Sequence, residues 1–302
     1  MEDKQRGRDS TNTLNTKPEK ESSASDTSAP SSDNVPGLDN ADRKEVAKRR
    51  NISAIVVHET IREEGEQELS RTSSTLAWSG LAAGLSMGFS LVAQGLLRAH
   101  LPTTPWSPLI DDLGYSVGFL IVILGRQQLF TENTLTVILP LLAHPDRATF
   151  LQVARLWIVI LATNLVGAFL FAVIIAHTAL FPPDVQRSFV DIARPSLQSG
   201  FGLTILRGIF AGWLIALMVW LLPAAEGTKL HIVIIITYLV TLGGFVHIVA
   251  GSIDVFYLIN IGAASWFSYF VGFMLPTLLG NIIGGVTLVA ALNFAQVASQ
   301  DG

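Results

Sequence analysis

The 302-residue chain contains no cysteine. Disulfide frameworks, zinc thiolate sites and thiol nucleophiles are therefore excluded. Charge is scarce too: 15% of residues are charged, where a soluble domain carries about a quarter. The formal net charge is −4, so no basic excess points to nucleic acid. The first 50 residues hold no apolar segment of the kind a cleaved signal peptide needs. Insertion is expected to rest on internal spans.

Apolar sequence is what the chain has in excess. Half of its residues are apolar and the mean hydropathy is +0.47. From about Thr75 onward, charges fall in short clusters between long apolar runs. Residues 1–42 are polar and lack the apolar set that would offset chain entropy, so a disordered tail is expected there. Residues 43–72 read as a partly amphipathic cytoplasmic helix. Ile52, Ile55, Val56, His58, Ile61 and Leu69 recur mostly at three- and four-residue steps, with Lys44, Lys48, Arg49, Arg50 and Arg62 as its positive charges. It would lie at the membrane surface or cover a pore mouth. Asn51-Ile52-Ser53 matches a glycosylation sequon, read as chance in a cytoplasmic segment.

A transmembrane helix needs about 20 mostly apolar residues. Six candidate spans meet this, at 76–97, 110–142, 150–181, 203–222, 230–261 and 266–297, within a membrane domain over 73–298 and ahead of a short tail at 299–302. Inward loops would hold Arg147 and Lys229, and outward loops Arg98, Arg187 and Arg194. The basic N-terminal flank decides the orientation, with both termini cytoplasmic. Trp78, Trp106, Trp157, Trp213, Trp220 and Trp266 fall mostly near span ends, as interfacial aromatics do.

Two short strings recur. Asn164-Leu165-Val166-Gly167-Ala168 lies in the third span and Asn281-Ile282-Ile283-Gly284-Gly285 in the sixth, 117 residues later. A second pair places Gly80 and Gly84 in the first span and Gly208 and Gly212 in the fourth. Three spans per half force the halves into opposite orientations, giving an all-α membrane protein of two inverted three-helix repeats. The second and fifth spans should then correspond, and both are too long. As one helix, 110–142 would run ~50 Å against ~30 Å of hydrocarbon. Polar or glycine-rich sequence interrupts both, at 125–134 and at 243–252. Shifting by 117 residues sets Phe130 opposite His247 and Thr131 opposite Ile248.

Irregular backbone at membrane depth is tolerated only when buried in protein or facing water. Freed N–H groups at half-helix starts suit an anion or a polar neutral solute. His247 is the only histidine within a predicted membrane core; His58, His100, His144, His177 and His231 are not. It reads either as a neutral imidazole bonded to a carbonyl or as a donor in a permeation path. Arg126 and Glu132 read as an ion pair fixing the first interruption, or Arg126 as an attractor of anions. Asn164, Gly167, Asn281, Gly284 and Gly285 read as helix-packing residues that satisfy backbone groups. Ser252 near His247 lacks the context of a hydrolase nucleophile. No nucleophile–base constellation or metal cluster suggests an enzyme, and no cofactor is expected.

At these residues the sequence resembles the formate/nitrite transporter family. The strings are Leu129-Phe130-Thr131, Gly244-Phe245-Val246-His247 and the run from Pro276 to Gly285. The resemblance spans roughly residues 70–298 and implies an aquaporin-like protomer within a homopentamer in the bacterial inner membrane. It implies a central chamber at Leu129, Phe130, Thr131 and His247, and constriction candidates Tyr115, Phe119, Ile215, Val240 and Val246. Its cargo would be a small monovalent anion or its weak acid, with proton coupling at His247. Four positions depart from the family pattern: Gln128 replaces an acidic residue, Gly212 an asparagine, Ser196 a lysine, and Gly251 the asparagine after the histidine. A chamber less polar than its relatives is the consequence, leaving the solute open. The alternatives are a neutral-solute pore for water or glycerol and a non-conducting membrane scaffold or sensor.

Overall fold

The structure is a computed structural model that describes residues 53–225 and 227–298, apart from the side chains of residues 290 and 293–298. The expected tail over 1–42, the basic residues Lys44, Lys48, Arg49 and Arg50, Ile52 and most of the sequon lie outside these residues. All elements among the described residues are helical.

Helix α1 (Ala54–Ser70) starts where the Ser53 hydroxyl accepts from the Val56 N–H. Its buried face is Val57, Ile61, Gly65 and Leu69, a strict four-residue step. Ile61 and Leu69 of the stripe read from the sequence lie on this face, whereas its other members Ile55 and Val56 are exposed. Glycine is required at Gly65, because a Cβ there would stand 2.2 Å from the Thr136 carbonyl oxygen. The helix packs on the chain around Thr136 and Pro140.

Among the described residues, five helices are long and apolar enough to cross a membrane: α2 (Ser73–His100), α3 (Ser107–Leu124), α5 (Arg147–His177), α7 (Phe201–Leu221) and α10, which runs through Ser268–Val289 from a π-helical start at Ser268–Met274. Side chains open the helix ends in two of them. The Thr72 hydroxyl accepts from the Thr75 N–H before α2, and the Asp146 carboxylate from the Thr149 N–H before α5. Three shorter apolar helices complete the set: α4 (Asn133–Ala143), α8 (Lys229–Leu242) and α9 (Ile248–Asn260). The second expected span is thus α3 and α4 with irregular chain between them, and the fifth is α8 and α9. An amphipathic helix, α6 (Pro183–Ala193), links α5 to α7; the sequence reading treated this stretch as loop.

The two most extensive helix packings are α2 with α5 and α7 with α10. Both rest on small residues that let backbones touch. A Cβ on Gly84 would stand 2.1 Å from the Asn164 carbonyl oxygen, and one on Gly212 2.3 Å from that of Asn281. Gly167 and Gly284 face Leu81 and Ile209 carbonyls in the same way. The outer faces are apolar and unburied, with Trp78, Ile158, Ile235, Leu206 and Phe267 among the exposed residues. That inside–outside pattern fits a chain whose perimeter meets lipid.

Candidate functional site: two helix breaks and a buried histidine

The two breaks are built from the same backbone hydrogen bonds. At the end of α3 the Gln127 N–H donates to the Val122 carbonyl (2.9 Å) and the Arg126 N–H to Ile123 (3.2 Å). At the end of α8 the Phe245 N–H donates to Val240 (3.0 Å) and the Gly244 N–H to Thr241 (2.9 Å). These are paired six-to-one and five-to-two helix-ending bonds around a left-handed residue. That residue is Arg126 (φ 52°) in the first break and Gly244 (φ 63°) in the second. Glycine adopts this conformation freely, while arginine is strained in it.

Beyond each turn one asparagine holds the extended chain. Asn164 Oδ1 accepts from the Phe130 N–H (2.9 Å), while its Nδ2 donates to the carbonyls of Gln128 (2.9 Å) and Gly80 (2.8 Å). Asn281 Oδ1 accepts from the Ile248 N–H (2.9 Å), and its Nδ2 donates to Val246 (2.9 Å) and Gly208 (2.9 Å). Each asparagine thus replaces bonds that the broken helix gives up. The register these bonds define is 118 residues through the breaks, against 117 between the asparagines. The pairing read from the sequence is therefore corrected by one residue: Phe130 corresponds to Ile248, and Leu129 to His247. The cause is one extra residue between break and asparagine in the first half, 34 against 33.

His247 sits where the second break re-enters helix, as the residue capping α9. Its Nδ1 accepts from the Ala250 N–H (3.2 Å), and its Nε2 lies 2.6 Å from Thr131 Oγ1. An accepting Nδ1 carries no proton, so the neutral ring holds its proton on Nε2 and donates it to Thr131. A doubly protonated ring would lose the cap. The Thr131 hydroxyl hydrogen has no other acceptor among the described residues. His247 is 1% exposed and Thr131 is fully buried. The Phe119 ring packs edge-on against the imidazole with centroids 5.0 Å apart, and Tyr115 follows at 5.2 Å from Phe119.

On one side His247 borders a cavity of about 210 Å³. Tyr115 and Val246 line it beside the histidine; Phe119, Leu129, Phe130, Ile215 and Val240 are buried and not part of its wall. The rest of the wall is mixed: Gln94, Asp112, Thr241, Ser196, Arg207 and Asp254 supply polar groups, and Ile192, Pro195, Phe245 and Phe273 an apolar part. Arg207 and Asp254 were missed in the sequence, although each is a lone charge inside an apolar run, the signal that flags intramembrane function.

The expected Arg126–Glu132 ion pair does not form among the described residues. Arg126, 80% exposed, reaches instead to Glu64 of α1 at 3.4 Å. The left-handed turn points the arginine outward, while Glu132 follows the chain inward toward α4. Gly285 lies against Thr134, where a Cβ would stand 2.0 Å from the hydroxyl oxygen.

The model of the formate/nitrite transporter family matches residues 55–295. The chain belongs to that family. It is thus a membrane transport protein rather than an enzyme. The chain is 41% identical over 244 residues to the inner membrane protein YfdC of Escherichia coli strain K12, covering 81% of this chain and 79% of that one. It is 30% identical over 253 residues to the formate channel BtFdhC of Bacillus thuringiensis, covering 81% and 95%. Among solved structures, a pentameric formate channel with formate bound superposes at a TM-score of 0.64 and 20% identity, over 75% of this chain and 98% of that one. The formate/nitrite transporter fold is therefore shared.

The structure shows what surrounds the four positions that the sequence sets apart from the family pattern. Gly212 touches the Asn281 backbone, which leaves no room for an asparagine. Gly251 faces Phe273, whose ring would stand 2.5 Å from an added Cβ. Gln128 is tied into the break, its N–H donating to Ser79 Oγ and its Oε1 accepting from Asn133 Nδ2, both at 3.1 Å. Ser196 lines the cavity wall together with Asp254.

Proposed function

We propose that this protein is a membrane channel for small monovalent anions such as formate or nitrite, or for their weak acids, conducted past His247 and Thr131. The observation that carries the reading is the buried Thr131–His247 hydrogen bond at the junction of two helix breaks, next to a partly polar cavity. A bare anion crosses an apolar slit only at high cost. Donors fixed at the breaks offset that cost, and Thr131 and His247 supply them. The anion passes either as such or as the neutral acid after taking a proton.

Leu129 and Phe130 complete the chamber with Thr131 and His247. Tyr115, Phe119, Ile215, Val240 and Val246 form its constrictions. Six spans, with the second and fifth broken, are arranged as two inverted three-helix repeats in an aquaporin-like protomer. The repeated asparagine brackets support this arrangement. The protomers assemble as a homopentamer in the bacterial inner membrane with both termini cytoplasmic. The pentameric structural neighbour supports the assembly, the inner-membrane relative the location, and the basic N-terminal flank the orientation.

Proteoliposomes holding the full chain test the reading. Formate, nitrite and acetate should enter far faster than into empty vesicles, while glycerol should not. Swelling in glycerol without anion uptake would convert the protein into a neutral-solute pore.

A further inference from the structure

The cavity beside His247 is lined by two arginines that differ in occupation. Arg98 is taken: its Nε and one Nη atom donate to the two carboxylate oxygens of Asp111, at 2.7 and 3.2 Å. Arg207, on α7, donates from one Nη to Ser199 Oγ at 2.6 Å and makes no ion pair among the described residues. Of the five N–H donors of a guanidinium, the others have no acceptor among the described residues. The carboxylates in the same wall form no ion pair with Arg207 among the described residues. Asp112 accepts from Gln94 Nε2 and Thr241 Oγ1, each at 3.1 Å. Asp191 is exposed at the rim.

We propose that Arg207 is the docking residue for the permeating anion, and that it selects planar anions with two oxygens over spherical ones. The proposal rests on the channel reading above and deepens it. The charge balance gives the reason. Three aspartates, Asp112, Asp191 and Asp254, outnumber the two arginines in the wall, so an anion attracted only by potential gains nothing there. A carboxylate or nitrite gains two parallel charge-assisted bonds from the guanidinium fork, a geometry that chloride cannot use and lysine cannot supply. At about 30 Å³ per water, the cavity has room for such an anion with several waters. His247 in the same wall then takes the anion onward.

The test measures formate and chloride uptake against concentration in proteoliposomes of the full chain, for wild type, Arg207→Lys and Arg207→Gln. Wild type should half-saturate with formate at a concentration about ten-fold below that for chloride. Both variants should lose most of that preference through a rise of about five-fold or more in the formate half-saturation, with maximal rate nearly unchanged. Size-exclusion profiles matching wild type establish that the variants assemble. Overturning results are a wild type that takes chloride as readily as formate, which needs no variant, or an Arg207→Lys protein that keeps the formate preference. No anion uptake by wild type at all would instead remove the channel reading beneath the proposal.

Discussion

The break after α3 and the break after α8 share one backbone and differ in what hangs from it. Both end a helix with the same pair of bonds around a left-handed residue, and both are braced by one asparagine reaching the partner helix. In the first, the left-handed residue is Arg126, which reaches out to Glu64 of α1. In the second it is Gly244, and the chain turns His247 into the buried interior. The position of His247 in the second break is held by Leu129 in the first. The scaffold is thus duplicated, and the chemistry is not. Among the described residues, side-chain polar groups from the two breaks meet at Thr131 and His247 alone.

The largest expected effects test whether the scaffold is equivalent in the two halves. Gly84→Asn and Gly212→Asn should each abolish recovery of folded protein, because each drives a side chain into an asparagine backbone. Soluble, membrane-extracted Gly212→Asn with a wild-type size-exclusion profile would break the claim that close packing explains the missing chamber asparagine. Next, Asn164→Ala and Asn281→Ala should each cost about 3 kcal/mol, since each strands buried backbone groups. Thermal unfolding in detergent reads this out, and a variant that unfolds at the wild-type temperature would show that the two braces are unequal.

A smaller effect separates the left-handed residues. Gly244→Ala should cost about 1 kcal/mol from backbone strain alone, as nothing lies within 4 Å of the added Cβ. Arg126→Gly should be nearly neutral, because relief of strain offsets the added freedom of the unfolded chain. Equal destabilisation by the two would contradict the difference in strain between arginine and glycine in this conformation. The smallest effect is Glu64→Gln, at most a few tenths of a kcal/mol, because its pair with Arg126 is exposed to solvent. A loss of more than about 1 kcal/mol would give that contact a structural weight its exposure denies.

Much of this scaffold is legible in the sequence, for reasons that differ by element. Apolar runs longer than a bilayer announce the broken spans, and the repeated asparagine–glycine strings locate the braces, because a brace needs a specific amide against a small-residue interface. Register is harder. A repeat aligned on Asn164 and Asn281 slips by one residue at the breaks, since a loop absorbs an extra residue without disturbing either packed helix. The partner of Arg126 was misassigned because proximity in sequence suggests Glu132, whereas the left-handed turn sends the side chain to α1. Arg207 and Asp254 were legible singly as lone charges in apolar runs, but the cavity they share was not, because they lie on two helices far apart in sequence. The buried face of α1 keeps Ile61 and Leu69 from the apolar residues that mark the helix, but Gly65 on that face carries no hydropathy signal and Ile55 and Val56 fall outside it.

The most direct test of the account is formate uptake by proteoliposomes of wild type and His247→Phe, with assembly of both confirmed by size exclusion. Phenylalanine keeps the bulk of the ring and removes both the donor to Thr131 and the cap on Ala250. Uptake should fall by about ten-fold or more, the loss expected when a buried donor in the path is removed. Equal uptake by the two proteins would remove His247 from the permeation path and contradict the account.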